Sequence, residues 1–240
     1  MITFHADIVG SLLRPAELLA AQEQFAAGRL SSSEFKEIED RAVDEAIALQ
    51  ESVGLEIVTD GEMRRQSFQS QMTAAVSGFG EFDLDAFLWG EWYDDHGVYR
   101  KTRPSPLGAT GKLARRRSLS VDEFAYLNNK TTRIPKITLP SPGLWANFWS
   151  PKHSREVYPT LDAFLADVVE ILRQEVAELA RAGAAYIQID APHYGLLLDP
   201  RTRIFYENCG WSLDRWLSYG IELDNAVMAG FPAVTFGFHI

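Results

Sequence analysis

The chain carries a single cysteine, Cys209, in 240 residues. One thiol excludes an intrachain disulfide framework and any zinc knuckle built on cysteine pairs. Cys209 sits in the polar stretch ENCGW with no activating neighbour, so it reads as a surface or half-buried thiol rather than a nucleophile. Long apolar runs are missing too. No stretch approaches the roughly 20 consecutive apolar residues of a spanning helix, and MITFHADIVG lacks a charged segment followed by an apolar one. No membrane contact and a cytoplasmic location are therefore expected. Positive charge is scarce: 23 Lys and Arg stand against 33 Asp and Glu, a net charge of −10. That balance leaves no footprint for nucleic acid or an anionic membrane. The one dense basic run, Arg115-Arg116-Arg117, reads as a solvated loop.

What is present is ample core material, with 46% hydrophobic and 12% aromatic residues. Length alone admits one large domain or two small ones. A first strand is expected within Ala6–Leu12, ending in Gly10-Ser11. Pro15 opens a helix to about Ala27, and Ser31–Ser33 cap a longer one in which Phe35, Ile38, Val43 and Ile47 recur at helical spacing. Leu55–Thr59 is a short strand closed by Asp60-Gly61-Glu62. Residues 80–135 change character, with many aromatics, the arginine run and a capping-box pattern from Ser120 to Glu123. This region reads as an excursion from the scaffold. Regular order returns with strands at Lys136–Leu139, Tyr186–Ile189 and Ala233–Ile240, separated by helices at Leu161–Ala182 and Ser212–Ala229. Five strands alternating with helices call for a parallel α/β sheet, either doubly wound or closed into a barrel. Four of them end in polar or special residues, which is where such folds build sites.

The ordered motifs ADIVGSLLRP, IVTDGEMRR, KITLPSP, AYIQIDAP and VTFGFHI resemble the catalytic zinc barrel of the cobalamin-independent methionine synthase family, most of all its compact single-barrel members. The resemblance runs from about residue 3 to Ile240 and is weakest in 80–135. It implies a TIM-type (β/α)8 barrel over residues 1–240, with about five of its strands present and an irregular insertion at 80–135. It implies zinc as cofactor and His239 as its first ligand, on a strand that continues as His-x-Cys in the family. This chain stops one residue before that Cys, so the expectation is five strands of eight and an end inside the metal site.

The implied chemistry is transfer of a methyl group to a thiol, which bound zinc holds as the reactive thiolate. By resemblance, Ser11 contacts an amino-acid carboxylate, Glu62 and Asp190 receive its ammonium, and Trp149 or Trp145 stacks a pterin ring. The substrates implied are a small-molecule thiol such as homocysteine and a methyl donor such as a methylated folate. Two carboxylates ending parallel strands independently favour a cation in the mouth between them. Ala191, where full-length family members have an acidic residue, is a departure. The alternatives are alkyl transfer to another thiol such as coenzyme M, or an inactive partial barrel acting as a binding module, with a second copy or another chain completing the barrel. His5, His96 and His153 read as surface or structural groups, whereas His193 is expected at the rim of the site.

Overall fold

The computed structural model describes residues 6–81, 91–93, 99–101 and 107–240, with backbone alone at 91–93 and 99–101. Two helices come first, α1 (Ala16–Ala26) and α2 (Ser32–Ser52). The Ser31 hydroxyl accepts the Glu34 N–H while the Glu34 carboxylate accepts the Ser31 N–H, a complete capping box that starts α2. Next come β1 (Ile57–Val58), α3 (Ser70–Ala75), β2 (Val76–Glu81), β3 (Glu91–Tyr93), β4 (Tyr99–Lys101), β5 (Leu107–Arg115), α4 (Val121–Lys130) and β6 (Ile134–Pro140). A 3₁₀ turn (Pro142–Phe148), α5 (Leu161–Arg181), β7 (Tyr186–Asp190), α6 (His193–Leu196) and α7 (Pro200–Asn208) follow. The last elements are α8 (Leu213–Arg215), a π turn (Trp216–Gly220), α9 (Ile221–Met228) and β8 (Thr235–His239). Among the described residues no helix is long and apolar enough to cross a membrane.

The main sheet has the order β1-β6-β7-β8, and every neighbouring pair is parallel. Strands enter it in chain order with no reversal, so it has no switch point of the doubly wound kind. Register aligns Lys136 with Tyr186 and Thr235, Thr138 with Gln188 and Gly237, and Pro140 with Asp190 and His239. Because side chains alternate, the intervening residues Ile137, Leu139, Ile187 and Ile189 share the opposite face. That face is apolar and packs in one core with Phe164, Val168, Leu172 and Val176 of α5. The face carrying Lys136, Thr138, Gln188 and Asp190 is polar, yet all four residues are buried. A second apolar cluster joins Leu18, Val43, Ile47, Val58 and Leu127, tying α1, α2 and α4 to β1.

Several expectations need correction. Described residues 6–12 form no strand. They lie against the polar face, held largely by side chains: Lys136 Nζ donates to Asp7 Oδ2 at 2.9 Å, Gln188 Nε2 donates to the Val9 carbonyl at 2.6 Å, and the Leu12 N–H meets the Gly61 carbonyl at 3.0 Å. The excursion is partly regular, since β2 and β5 pair antiparallel with a register shift between Ser77 and Phe79. Gly78 sits in that shift at φ 107°, where a Cβ would lie 2.7 Å from the Lys112 carbonyl oxygen, so only glycine fits. Within 80–135, residues 82–90, 94–98 and 102–106 lie outside the described residues, while α4 packs into the main fold through Phe124 and Leu127.

Arg115 is not in a solvated loop. It ends β5 and donates to Glu175 at 2.6 Å and to Glu178 at 2.5 Å, while Arg116 and Arg117 are exposed. The helix expected at Ser212–Ala229 is interrupted by the π turn. Cys209 is buried, and burial pushes its thiol up to about 11, so it is inert.

Glu175 is the fully buried anchor of this half of the molecule. Besides Arg115 it accepts the backbone N–H groups of Leu119 and Ser120 at 2.8 and 2.7 Å. Glu175→Ala leaves two buried donors and a guanidinium short of an acceptor, and is expected to cost about 3 kcal/mol. The measurement is the denaturant midpoint of the variant against the parent.

Candidate active site at the carboxyl end of the parallel sheet

Glu62 follows β1 in the turn Asp60-Gly61-Glu62 and has φ 54°, the left-handed region that a residue with a Cβ rarely adopts. The turn is set by Asp60, whose Oδ1 accepts the Glu62 N–H at 2.9 Å. The carboxylate thus directed inward is 2% exposed and fully engaged. Its Oε1 accepts from Thr138 Oγ1 at 2.5 Å and from Arg65 Nη1 at 2.9 Å, and its Oε2 accepts from the Ser11 hydroxyl. Gly10 makes this approach possible, since a Cβ there would lie 2.8 Å from Glu62 Oε1. Arg14 fastens the same segment by donating to the carbonyls of Glu62 and Arg65 at 3.1 and 2.6 Å.

Asp190 ends β7, in register with His239 at the end of β8. Its Oδ1 accepts from Gln188 Nε2 at 2.7 Å and lies 3.1 Å from His239 Nδ1. Gln188 in turn accepts from Lys136 Nζ at 2.8 Å, so a polar chain runs down the buried face of the sheet. Burial pushes the Asp190 carboxyl above its usual range; the bonds from Gln188 and His239 oppose this, and the negative charge of Glu62 adds to it. Two largely buried carboxylates, Glu62 and Asp190, thus act on each other's charge at one end of the sheet.

Of the residues singled out in the sequence, the structure joins Ser11 to Glu62 and Asp190 to His239, with Glu62 and Asp190 within electrostatic reach of each other. Trp149 is not among them. It is 3% exposed and donates its indole N–H to the Tyr158 carbonyl at 3.0 Å, while Trp145 is wholly buried, so neither offers an open ring face for stacking. His193 is not at the rim. It is buried against Tyr194 and Trp216, burial pushes it down to about 3, and neither ring nitrogen has a hydrogen-bond partner among the described residues. His153 is exposed, and His5 and His96 lie outside the described residues. Sequence reasoning missed Arg65, Thr138, Gln188 and Lys136. The signal for the last three was polar residues at a period of two inside apolar strands: Lys136 and Thr138 in one, Gln188 and Asp190 in the next.

Among the described residues no group of three or more His, Cys, Asp or Glu side chains could hold a metal ion. His239 with Asp190 on its Nδ1 is a ligand-and-orienter pair, but one imidazole falls short of the three or four protein ligands zinc requires.

Comparison with known proteins decides the family. The family model described as "Cobalamin-independent synthase, Catalytic domain" matches residues 4–208. The chain belongs to this family. Among its relatives, the methionine synthase of Pyrococcus abyssi is 31% identical over 187 residues, which is 78% of this chain and 51% of that protein. A 5-methyltetrahydropteroyltriglutamate–homocysteine methyltransferase from Thermosynechococcus vestitus is 29% identical over 206 residues, 86% of this chain and 26% of the relative. The chain thus spans about half the length of the first curated relatives it matches. In fold it is similar to a Listeria monocytogenes chain assigned as a vitamin-B12-independent methionine synthase. The TM-score is 0.71 at 23% identity, covering 99% of this chain and 65% of the other.

Beside the site, Glu123 accepts from Arg65 Nε and Nη2 at 3.0 and 2.7 Å. Burial outweighs that partner and pushes the Glu123 carboxyl up to about 7. A carboxyl raised above its unfolded value of 4.5 binds more protons in the folded state, so its contribution makes stability fall as pH rises through about 4.5 to 7. Glu123→Gln is expected to flatten that fall, read as denaturant midpoints compared at about pH 5 and about pH 8.

Proposed function

We propose that this chain forms the amino-acid-thiol half of a methyltransferase site, in which the sulfur of homocysteine or a close analogue receives a methyl group. The observation that carries the reading is the pair Glu62 and Asp190 at the carboxyl end of one parallel sheet, with the Ser11 hydroxyl on Glu62 Oε2. In this reading the substrate ammonium lies between the two carboxylates, displacing the Ser11 hydroxyl from Glu62. Ser11 is then free to contact the substrate carboxylate. A sulfonate thiol such as coenzyme M fits less well, because it needs a cation. Arg14 and Arg65, the arginines at the site, are already spent on carbonyl and carboxylate oxygens.

Family membership supports a (β/α)8 barrel over residues 1–240 with 80–135 as an insertion, and so do the one-way strand order and the polar inner face. Zinc rests on the family, with His239 as the donor that the described residues offer. A methylated folate as donor rests on the name of the Thermosynechococcus relative. A second copy or another chain beside β8 is part of the same proposal: among the described strands β8 pairs with β7 alone, and Phe238 is 42% exposed.

The test is methyl transfer from a methylated folate to L-homocysteine by the full-length natural protein. Asp190→Ala is expected to raise the KM for L-homocysteine about 10- to 100-fold, the scale of a lost charge-assisted contact, and His239→Ala to abolish turnover. Full activity in the His239 variant would overturn the reading.

A further inference from the structure

We propose that Arg65 is a positioning residue for ammonium recognition, fixing the Glu62 carboxylate so that it faces the mouth of the site. This deepens the amino-acid-thiol reading and rests on it. The Arg65 side chain is 1% exposed, and its guanidinium is a fork with a carboxylate on each side. Nη1 donates to Glu62 Oε1 at 2.9 Å and to Thr138 Oγ1 at 2.7 Å, while Nε and Nη2 hold Glu123 Oε2.

The far side of the fork therefore anchors the guanidinium to α4, and the near side carries the restraint to Glu62. Glu62 needs one. Its left-handed backbone is not what a glutamate prefers, so local conformational preference does not hold the side chain in place. Contacts from Arg65 and Thr138 to a single oxygen, Oε1, leave Oε2 turned toward Ser11 and the mouth. Arg65 touches no substrate in this arrangement. It acts through Glu62, and lysine replaces it only in part, because a point charge does not span two carboxylates.

Calorimetric titration of the full-length protein with L-homocysteine and with 4-mercaptobutanoate, the same thiol acid without the ammonium, separates positioning from a merely structural role. Arg65→Met is expected to weaken L-homocysteine about 10- to 100-fold while leaving 4-mercaptobutanoate unchanged, and Arg65→Lys to recover only part of the loss. Equal losses for both thiols would overturn the proposal. If the parent protein binds the two thiols alike, the amino-acid reading fails. Positioning is then decided by crystal structures of the parent and of Arg65→Lys: a Glu62 carboxylate that leaves Thr138 supports it, and one that stays overturns it. If Arg65→Met does not fold, Arg65→Lys supplies the binding comparison, with a selective loss of L-homocysteine supporting the proposal and an equal or absent loss overturning it.

Discussion

Two cations buried under the polar face of one sheet, Lys136 and Arg65, set the terms for everything around them. An ion removed from water costs several kcal/mol unless partners surround it, so each cation gathers the chain about itself. Lys136 draws in Asp7, the Ile8 carbonyl and Gln188, and with them the N-terminal segment that would otherwise have no reason to lie there. Arg65 draws in Glu62, Thr138 and Glu123, binding the turn after β1 to β6 and α4. The apolar face supplies the bulk of the stabilisation, while the polar face determines how the elements align.

That division explains what could be read in the sequence. The elements were legible because their signals are local. Ser31 and Glu34 make the capping box their spacing announces, and Val43 and Ile47 fall on the buried side of α2 as their periodicity requires. The same spacing at Ser120 and Glu123 misleads. Ser120 makes no side-chain cap bond; its hydroxyl accepts from Arg65 and Gln71 instead, and the Glu123 carboxylate is claimed by the guanidinium of Arg65, 58 residues away in the chain. Residues 6–12 fail as a strand for a related reason: their partners are side chains from β6 and β7 rather than a neighbouring backbone ladder.

The candidate residues were legible where a polar side chain closes an apolar run. Ser11, Glu62, Asp190 and His239 all lie at chain positions marked by a polar residue closing an apolar run. Trp149 was not legible, because its role depends on which way the turn after Pro140 folds, and the 3₁₀ turn carries that indole into the core beside Tyr158. Arg65 was hidden for the opposite reason. It stands in GEMRR like any solvated arginine, and only the assembled fold makes it a buried charge.

The π turn at Trp216–Gly220 holds one residue more than an α-helical turn requires. One extra residue advances the helix by about 100°, so the two sides of the turn address different neighbours. Trp216 closes an aromatic cage with Tyr206, Trp211 and His193, while Leu223 and Val227 of α9 join the core shared with α5. The turn works as a phase shifter between two packing surfaces. A single-residue deletion within it would restore an unbroken helix and put one of those surfaces out of step with its partner.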